Sequence, residues 1–253
     1  MEKHRQKIKD QFSRRISTYE KAAKWMLDPA LLKAHVNLLN KHVTSGRNCM
    51  DLCCGTGIMG RTLRRNGWHV HGVDLTPEMT EEARKHVPAL CGSIEHMPDF
   101  PDNSFDAAVL RQSFMLVDGP RALAEIHRIL KPGGIFVLSQ SVAFGKDDEP
   151  QYQKIQAKRH INMLSYYTAE GLEQMVEKDG SFSIEEKCFL RIRESASHWM
   201  KNALALSQET KKEILDLIQN APEGYKKARH VSVENGVVHE DWNWLILAAR
   251  ARK

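Results

Sequence analysis

A glycine-rich turn between a short apolar strand and a helix carries the residues with the clearest chemistry in this sequence. Residues 48–60 run from a strand that ends near Asp51 into Gly55-Thr56-Gly57, which opens the helix. Glycines let a ligand approach the backbone closely, and the helix that follows points unpaired N–H groups at whatever the turn holds. A second strand ends in Asp74, whose carboxylate can accept hydrogen bonds from the two hydroxyls of a ribose. The pattern therefore predicts a nucleoside-binding crossover.

Two nucleoside cofactors compete for this turn. Gly55-x-Gly57-x-x-Gly60 with Asp74 further on matches the dinucleotide fingerprint of NAD-binding proteins. However, Asp51 precedes the turn, and an unpaired carboxylate there would repel a pyrophosphate and attract an ammonium or sulfonium cation. Asp51, Thr56 and Asp74 together favour S-adenosyl-L-methionine over NAD.

From this turn onwards the sequence resembles the class I S-adenosylmethionine-dependent methyltransferases. The resemblance is carried by four blocks in order: residues 48–60, 72–79, 92–106 and 123–134. It is most similar to the small-molecule enzymes that include the ubiquinone and menaquinone methyltransferases and the malonyl-carrier-protein O-methyltransferase. Two positions depart from the family pattern: Cys53 stands where a glycine is usual, and Ser93 stands where an acid usually binds the adenine amino group.

The resemblance implies a cofactor-binding role for twelve residues. These are Tyr19, Asp51, Cys53, Gly55, Thr56, Gly57, Asp74, Leu75, Met79, Ser93, Ile94 and Arg111. The loop and Asp51 surround the methionine end, and Asp74 binds the ribose. Leu75 or Met79 packs on the adenine face, and Ser93 and the Ile94 amide bind the adenine edge. Tyr19 touches the methionine end from the N-terminal arm, although an ordinary core aromatic is an equally good interpretation. Arg111 lies close to the point where methyl donor and acceptor meet.

The predicted fold class is α/β, a Rossmann-like, doubly wound and mostly parallel sheet with helices on both faces. Seven strands are expected, the last one antiparallel, because strands and helices alternate over residues 48–141. The predicted divisions are an N-terminal helical arm (1–44), a cofactor-binding core (45–192), a helical insertion that caps the substrate (193–230) and a C-terminal hairpin (231–253). In the arm, helices are predicted over 5–26 and 29–43. Asn235-Gly236 predicts a type I′ hairpin.

Residues 142–166 show no clean periodicity and are interpreted as a lid or helix over the acceptor. Within it, Arg159, His160 and Tyr166 are the candidate substrate-binding residues. A guanidinium can hold a carboxylate or phosphate through two hydrogen bonds, and a histidine can deprotonate a hydroxyl. A surface arginine and a hydrogen-bonded histidine are the equally good alternative. No catalytic residue is assigned, because methyl transfer does not always need a general base.

Composition and charge indicate where the protein is located and which partners it has. The chain has 253 residues, of which 42% are hydrophobic and 27% charged, and neither a membrane span nor a secretory signal is expected. The five cysteines form no C-x-x-C pair, so a reducing cytoplasm and no metal site are expected. Residues 1–24 hold eight Lys and Arg side chains, which we interpret as the solvated face of an amphipathic helix rather than a nucleic-acid-binding arm.

The sequence thus predicts an S-adenosyl-L-methionine-dependent methyltransferase, a monomer or homodimer, that acts on an anionic or partly aromatic small molecule. Three other functions stay open. The basic arm would suit an RNA or protein methyltransferase. The substitution at Ser93 would suit a non-catalytic cofactor-binding module, and the fingerprint alone would suit an NAD-binding protein.

Overall fold

The computed structural model describes residues 2–253, and within them eight strands form one mixed sheet. The strands are β1 (Asn48–Leu52), β2 (His69–Asp74), β3 (Ala89–Cys91), β4 (Phe105–Arg111), β5 (Leu130–Val142), β6 (Phe182–Ser195), β7 (Ser232–Glu234) and β8 (Val237–Ala251). Their order is β3-β2-β1-β4-β5-β8-β6, with the short β7 also paired to β8. Strands β1 to β5 pair in parallel, whereas β8 runs antiparallel to β5, β6 and β7.

Ten α-helices surround this sheet within the described residues. They are α1 (Glu2–Ser13), α2 (Pro29–His42), α3 (Ile58–Arg65), α4 (Pro77–Arg84), α5 (Gly119–Ile129), α6 (Glu149–Arg159), α7 (Ala169–Glu177), α8 (Ala196–Asn202), α9 (Gln208–Gln219) and α10 (Glu223–Ala228). Both faces of the sheet are covered: in β4, Ala107 and Val109 pack into one core and Ala108 and Leu110 into the other. A strand buried on both faces needs the continuous apolar run that β4 has.

The predicted mostly parallel α/β sheet is confirmed, with one addition. The expected seven strands become eight because the hairpin at Asn235-Gly236 has a paired first strand, β7. Both turn residues have positive φ, 51° and 76°, as a type I′ turn requires. The final strand starts at Val237 because it continues directly from this turn.

The single helix predicted over residues 5–26 is wrong. Helix α1 ends at Ser13, and two short 3-10 helices follow, Ile16–Lys21 and Lys24–Leu27. The hydroxyl of Thr18 donates to the Arg15 carbonyl, a local bond that competes with helix formation. The break brings the Arg15 guanidinium against the rings of Phe12 and Tyr19.

The segment over 142–166 contains α6, so the helical alternative is the correct one for its centre. The insertion before the last strands is also helical and contains α8, α9 and α10. In the described part of the chain, no helix combines the length and the apolar character needed to cross a membrane.

Candidate functional site

A cleft of about 600 Å³ opens at the carboxyl ends of β1 to β3, under the N-terminal arm. Because the strands are parallel, their last residues meet at one edge of the sheet, which is where ligands bind in this architecture. The cleft is lined by Arg5, Ile8, Phe12, Tyr19, Cys53, Gly55, Asp74, Leu75, Thr76, Met79, Gly92, Ser93, Ile94, Glu95, Ser113, Leu116 and Val117. Eight of the twelve predicted cofactor residues are among them.

Asp74, the last residue of β2, is the best-positioned polar group in this cleft. One carboxylate oxygen accepts a hydrogen bond from the Gly55 amide and the other from the Thr76 amide, both at 2.9 Å. Burial raises the pKa of Asp74, and these two amides act in the opposite direction by stabilising the ionised form. The carboxylate is therefore held in one orientation at the ligand-facing end of the strand.

The turn after β1 has the backbone that a close approach requires. Gly55 and Gly57 have positive φ, 53° and 80°, and so does Cys53, at 51°. Cys53 thus takes the left-handed conformation expected of the glycine it replaces, which costs a non-glycine residue roughly 1–2 kcal/mol. A Cβ added at Gly55 would lie only 3.2 Å from the Tyr19 ring, so the arm and the turn are in close contact.

Asp51 lies behind the turn and does not line the cleft. Its carboxylate is buried and accepts a hydrogen bond from the Gly60 amide at 2.8 Å. Burial raises the pKa of Asp51 to about 7, a rise that the nearby charge of Arg111 and the Gly60 amide partly offset. Asp51 can therefore change its charge near neutral pH.

Thr56 and Gly57 are also absent from the cleft wall, and Thr56 has a different partner. Its hydroxyl donates to Glu20 at 2.7 Å, and Glu20 in turn accepts two hydrogen bonds from Arg61 at 2.7 and 2.8 Å. These bonds to Arg61 lower the pKa of Glu20. The contacts fasten the N-terminal arm to the turn, and we call Glu20, Thr56 and Arg61 the arm latch.

Glu95 is a cleft residue that the sequence analysis missed. It follows Ser93 by two positions and is buried, with its carboxylate accepting from the Asp118 amide at 2.9 Å and paired with Arg5. The Ser93 hydroxyl accepts from the Glu95 amide at 3.2 Å. A carboxylate is thus present beside Ser93, where the resemblance implies that the adenine binds. Glu95 could have been found from the sequence because it belongs to the same short loop as Ser93.

A second pocket, of about 500 Å³, adjoins the first. It is lined by Phe12, Arg15, Tyr19, Trp25, Met26, Arg111, Gln112, Ser113, Met115, Leu116, His160, Trp199 and Trp242. Phe12, Tyr19, Ser113 and Leu116 line both pockets and so form a shared wall. Arg111 belongs to this pocket and not to the first cleft, and its guanidinium donates to the Met26 carbonyl at 3.1 Å.

Of the three predicted substrate residues, only His160 lines the second pocket. Arg159 is fully buried behind it, in an ion pair with Glu240 and against the rings of Trp199 and Trp242. Tyr166 lines a separate, smaller cavity. Burial, together with nearby Arg159, lowers the pKa of His160 to about 3, so its imidazole is neutral.

The comparisons with known proteins agree with this geometry. Residues 50–138 match a family model described as a methyltransferase domain. Over these residues the chain is similar to methyltransferase domains. The resemblance to methyltransferases seen in the sequence is therefore confirmed.

Two relatives of this chain have names that describe methyl transfer. A malonyl-[acyl-carrier protein] O-methyltransferase of Serratia marcescens is 32% identical over 168 residues, 63% of this chain and 62% of that protein. A 2-phytyl-1,4-naphtoquinone methyltransferase of Nostoc punctiforme is 35% identical over 125 residues, 44% of this chain and 53% of that protein. The chain thus spans less than two thirds of the length of these curated relatives.

Solved structures show the same fold around the methyltransferase domain. A putative methyltransferase from Bacillus halodurans superimposes with a TM-score of 0.75 at 22% identity, over 86% of this chain and 98% of that one. A geranyl diphosphate C-methyltransferase from Streptomyces coelicolor, in complex with S-adenosyl-L-homocysteine, gives 0.58 at 18% identity, over 88% and 80%. At these identities the likeness concerns the fold.

Proposed function

We propose that this protein transfers a methyl group from S-adenosyl-L-methionine to a small-molecule acceptor. The observation that carries the proposal is the shared wall between the two pockets, because a donor in the first cleft and an acceptor in the second would meet there. Relatives that methylate quinones and a malonyl group support a small or carrier-bound acceptor.

The first cleft suits a nucleoside that carries an amino-acid tail and no phosphate better than a dinucleotide. Asp74 offers a fixed carboxylate to ribose hydroxyls, and Leu75 and Met79 offer apolar contacts to a purine ring. Among the described residues that line the cleft, Arg5 is the sole cation, and it is already paired with Glu95. A pyrophosphate would therefore find no free cation and would lie beside the Asp74 carboxylate, which opposes NAD binding.

When bound, S-adenosyl-L-methionine supplies a methyl group on a cationic sulfur, which is a good electrophile without further activation. The protein's part is to orient the acceptor and exclude water, which can lower a barrier by up to roughly 7–11 kcal/mol in ideal cases. The Phe12 and Tyr19 rings of the shared wall are apolar surfaces that help to exclude water from the point where the two pockets meet. His160 is too weak a base to remove a proton from the acceptor efficiently. We therefore attribute the rate enhancement to orientation of the acceptor against the methyl group.

Thermal unfolding with added ligands tests the cofactor. S-adenosyl-L-homocysteine at a hundredfold excess over its Kd should stabilise the protein by about 2.7 kcal/mol, whereas NAD should not. Asp74→Ala should weaken S-adenosyl-L-homocysteine binding by about a hundredfold or more, because it removes charged hydrogen bonds to the ribose. Asp99→Asn, at an exposed position, is the matched control and should leave binding unchanged. If Asp74→Ala kept full affinity for S-adenosyl-L-homocysteine, the proposed position of the ribose would be wrong.

Labelled-methyl transfer into a fractionated cell extract tests the reaction itself. If the protein bound S-adenosyl-L-homocysteine but labelled no fraction, the non-catalytic alternative would replace this proposal.

We also propose a cytoplasmic location, since all five cysteines are free.

A further inference from the structure

The second pocket contains two guanidinium groups that have no ion-pair partner among residues 2–253. Arg111 makes one hydrogen bond, to the Met26 carbonyl. The Nε atom of Arg15 is buried and makes no hydrogen bond. Burying an arginine without a counter-charge is costly, so an unpaired guanidinium in a pocket calls for an anion.

The two arginines differ in what surrounds them. The charge of Arg111 is partly balanced by the nearby Asp51. Arg15 instead lies over two aromatic rings, with its guanidinium carbon 5.5 Å from the centre of Phe12 and 5.8 Å from that of Tyr19. No described residue that lines this pocket is an Asp or Glu. Arg15 is therefore the cation that the chain leaves for a ligand.

The remaining wall favours a flat ligand with a hydrogen-bond acceptor. Trp25, Trp199 and Trp242 supply broad apolar faces, and the indole N–H of Trp25 is a buried donor without a partner. Arginine and tryptophan donors beside broad aromatic faces suit a planar acid better than a saturated neutral molecule.

We infer that the methyl acceptor is a planar organic acid, whose carboxylate or other ionised oxygen binds Arg15 in the second pocket. The inference rests on the proposed function and adds a substrate class and a specificity residue to it. It also makes the arm part of the acceptor site, because Arg15 follows α1 in the segment that covers both pockets.

One competing source of the anion is the carboxylate of the cofactor's own methionine group. Comparing S-adenosyl-L-homocysteine with 5′-methylthioadenosine distinguishes the two sources of the anion. 5′-Methylthioadenosine keeps the nucleoside and the sulfur but lacks the amino-acid group. If Arg15 binds the acceptor, Arg15→Gln should leave the affinities for S-adenosyl-L-homocysteine and 5′-methylthioadenosine both unchanged. A loss of affinity for the first ligand alone would assign Arg15 to the cofactor and overturn the inference.

The charge of the acceptor is tested without knowing its identity. Cell extract is ultrafiltered, and the filtrate is passed over an anion exchanger at neutral pH. Each fraction of the filtrate, and separately the pool of macromolecules held back by the filter, is incubated with the protein and methyl-labelled S-adenosyl-L-methionine. We expect the acceptor in the retained fraction. Transfer only into unretained molecules, or only into macromolecules held back by the filter, would overturn the inference. Transfer into nothing would instead contradict the proposed function.

Variants at neighbouring arginines complete the test. With the active fraction, Arg15→Gln should raise the KM for the acceptor about tenfold or more, as expected for a lost charged hydrogen bond. Arg15→Lys should recover part of the loss, because it restores the charge without the planar fork. Arg14→Gln, at an exposed position, is the control and should change neither KM nor cofactor affinity. Equal KM values for all three variants would contradict the role of Arg15.

Discussion

At the scale of single residues, the buried Asp51 should make cofactor affinity depend on pH. Its pKa is about 7, so the carboxylate is mostly protonated below pH 7 and ionised above it. Only the ionised form attracts the cofactor's ammonium group. We therefore expect the affinity for S-adenosyl-L-homocysteine, measured by calorimetry, to rise by up to about tenfold per unit as the pH increases from 5 towards 7, and binding should release a proton.

Two controls isolate this effect. Asp51→Asn cannot ionise, so its affinity should stay flat over the same pH range. 5′-Methylthioadenosine lacks the ammonium group, so its affinity for the unchanged protein should be flat as well. A rise that persists in both controls would mean that another group titrates, and the expected role of Asp51 would fail.

Eight of the twelve predicted cofactor residues gather in the first cleft, whereas only one of the three predicted substrate residues lines the second pocket. Gly55 and Asp74 act through local features, a tight turn and a strand end, which a short stretch of sequence specifies. Arg15, by contrast, reaches its pocket only because the arm helix breaks at Ser13, and Arg159 leaves it because a distant Glu240 pairs with it. The residues next to Arg15 and Arg159 in the sequence predict neither the end of the helix nor the ion pair.

At the scale of elements, the arm latch should control how tightly the cofactor is held. Glu20 joins the arm to Thr56 of the turn and to Arg61 of α3. Glu20→Gln should weaken S-adenosyl-L-homocysteine binding severalfold and speed its dissociation, because the arm then opens more often. Stopped-flow displacement measures the dissociation rate. The ion pair of Glu213 with Lys158 is exposed and joins two helices outside the arm, so Glu213→Gln is the control and should change neither quantity.

Limited trypsin digestion supplies an independent measurement of the same element. The arm is rich in Lys and Arg, so bound S-adenosyl-L-homocysteine should slow its cleavage in the unchanged protein more than in Glu20→Gln. Equal protection in both proteins would show that the latch has no part in closure.

Elements with strong local signals were predictable, and the others were not. The helix predicted over 29–43 forms with Asp28 as its cap, which accepts hydrogen bonds from the Ala30 and Leu31 amides, and the predicted Asn235-Gly236 hairpin forms as well. The arm combines helical periodicity with hydroxyl residues that oppose it, and only its packing over the cleft decides between them. The four predicted divisions of the chain stay a prediction.

At the scale of the whole molecule, a buried ion pair joins α6 to the last strand. Arg159 at the end of α6 pairs with Glu240 of β8, and both side chains are fully buried. Glu240 also accepts hydrogen bonds from Tyr225 and Trp242, so α10 is fastened at the same point. The pair therefore connects segments on either side of the helical insertion.

Breaking this pair should lower the stability of the whole fold and leave substrate recognition intact. Arg159→Met or Glu240→Gln alone should reduce the free energy of unfolding by about 3–5 kcal/mol, because each leaves a buried group without its partner. The double variant should lose less than the sum of the two, as coupled residues do. Lys158→Met, which breaks the neighbouring exposed pair with Glu213, should cost no more than about 1 kcal/mol. Urea unfolding measures all four. A folded Arg159→Met protein with normal stability but a raised KM for the acceptor would instead make Arg159 a substrate residue, as the sequence alone predicts.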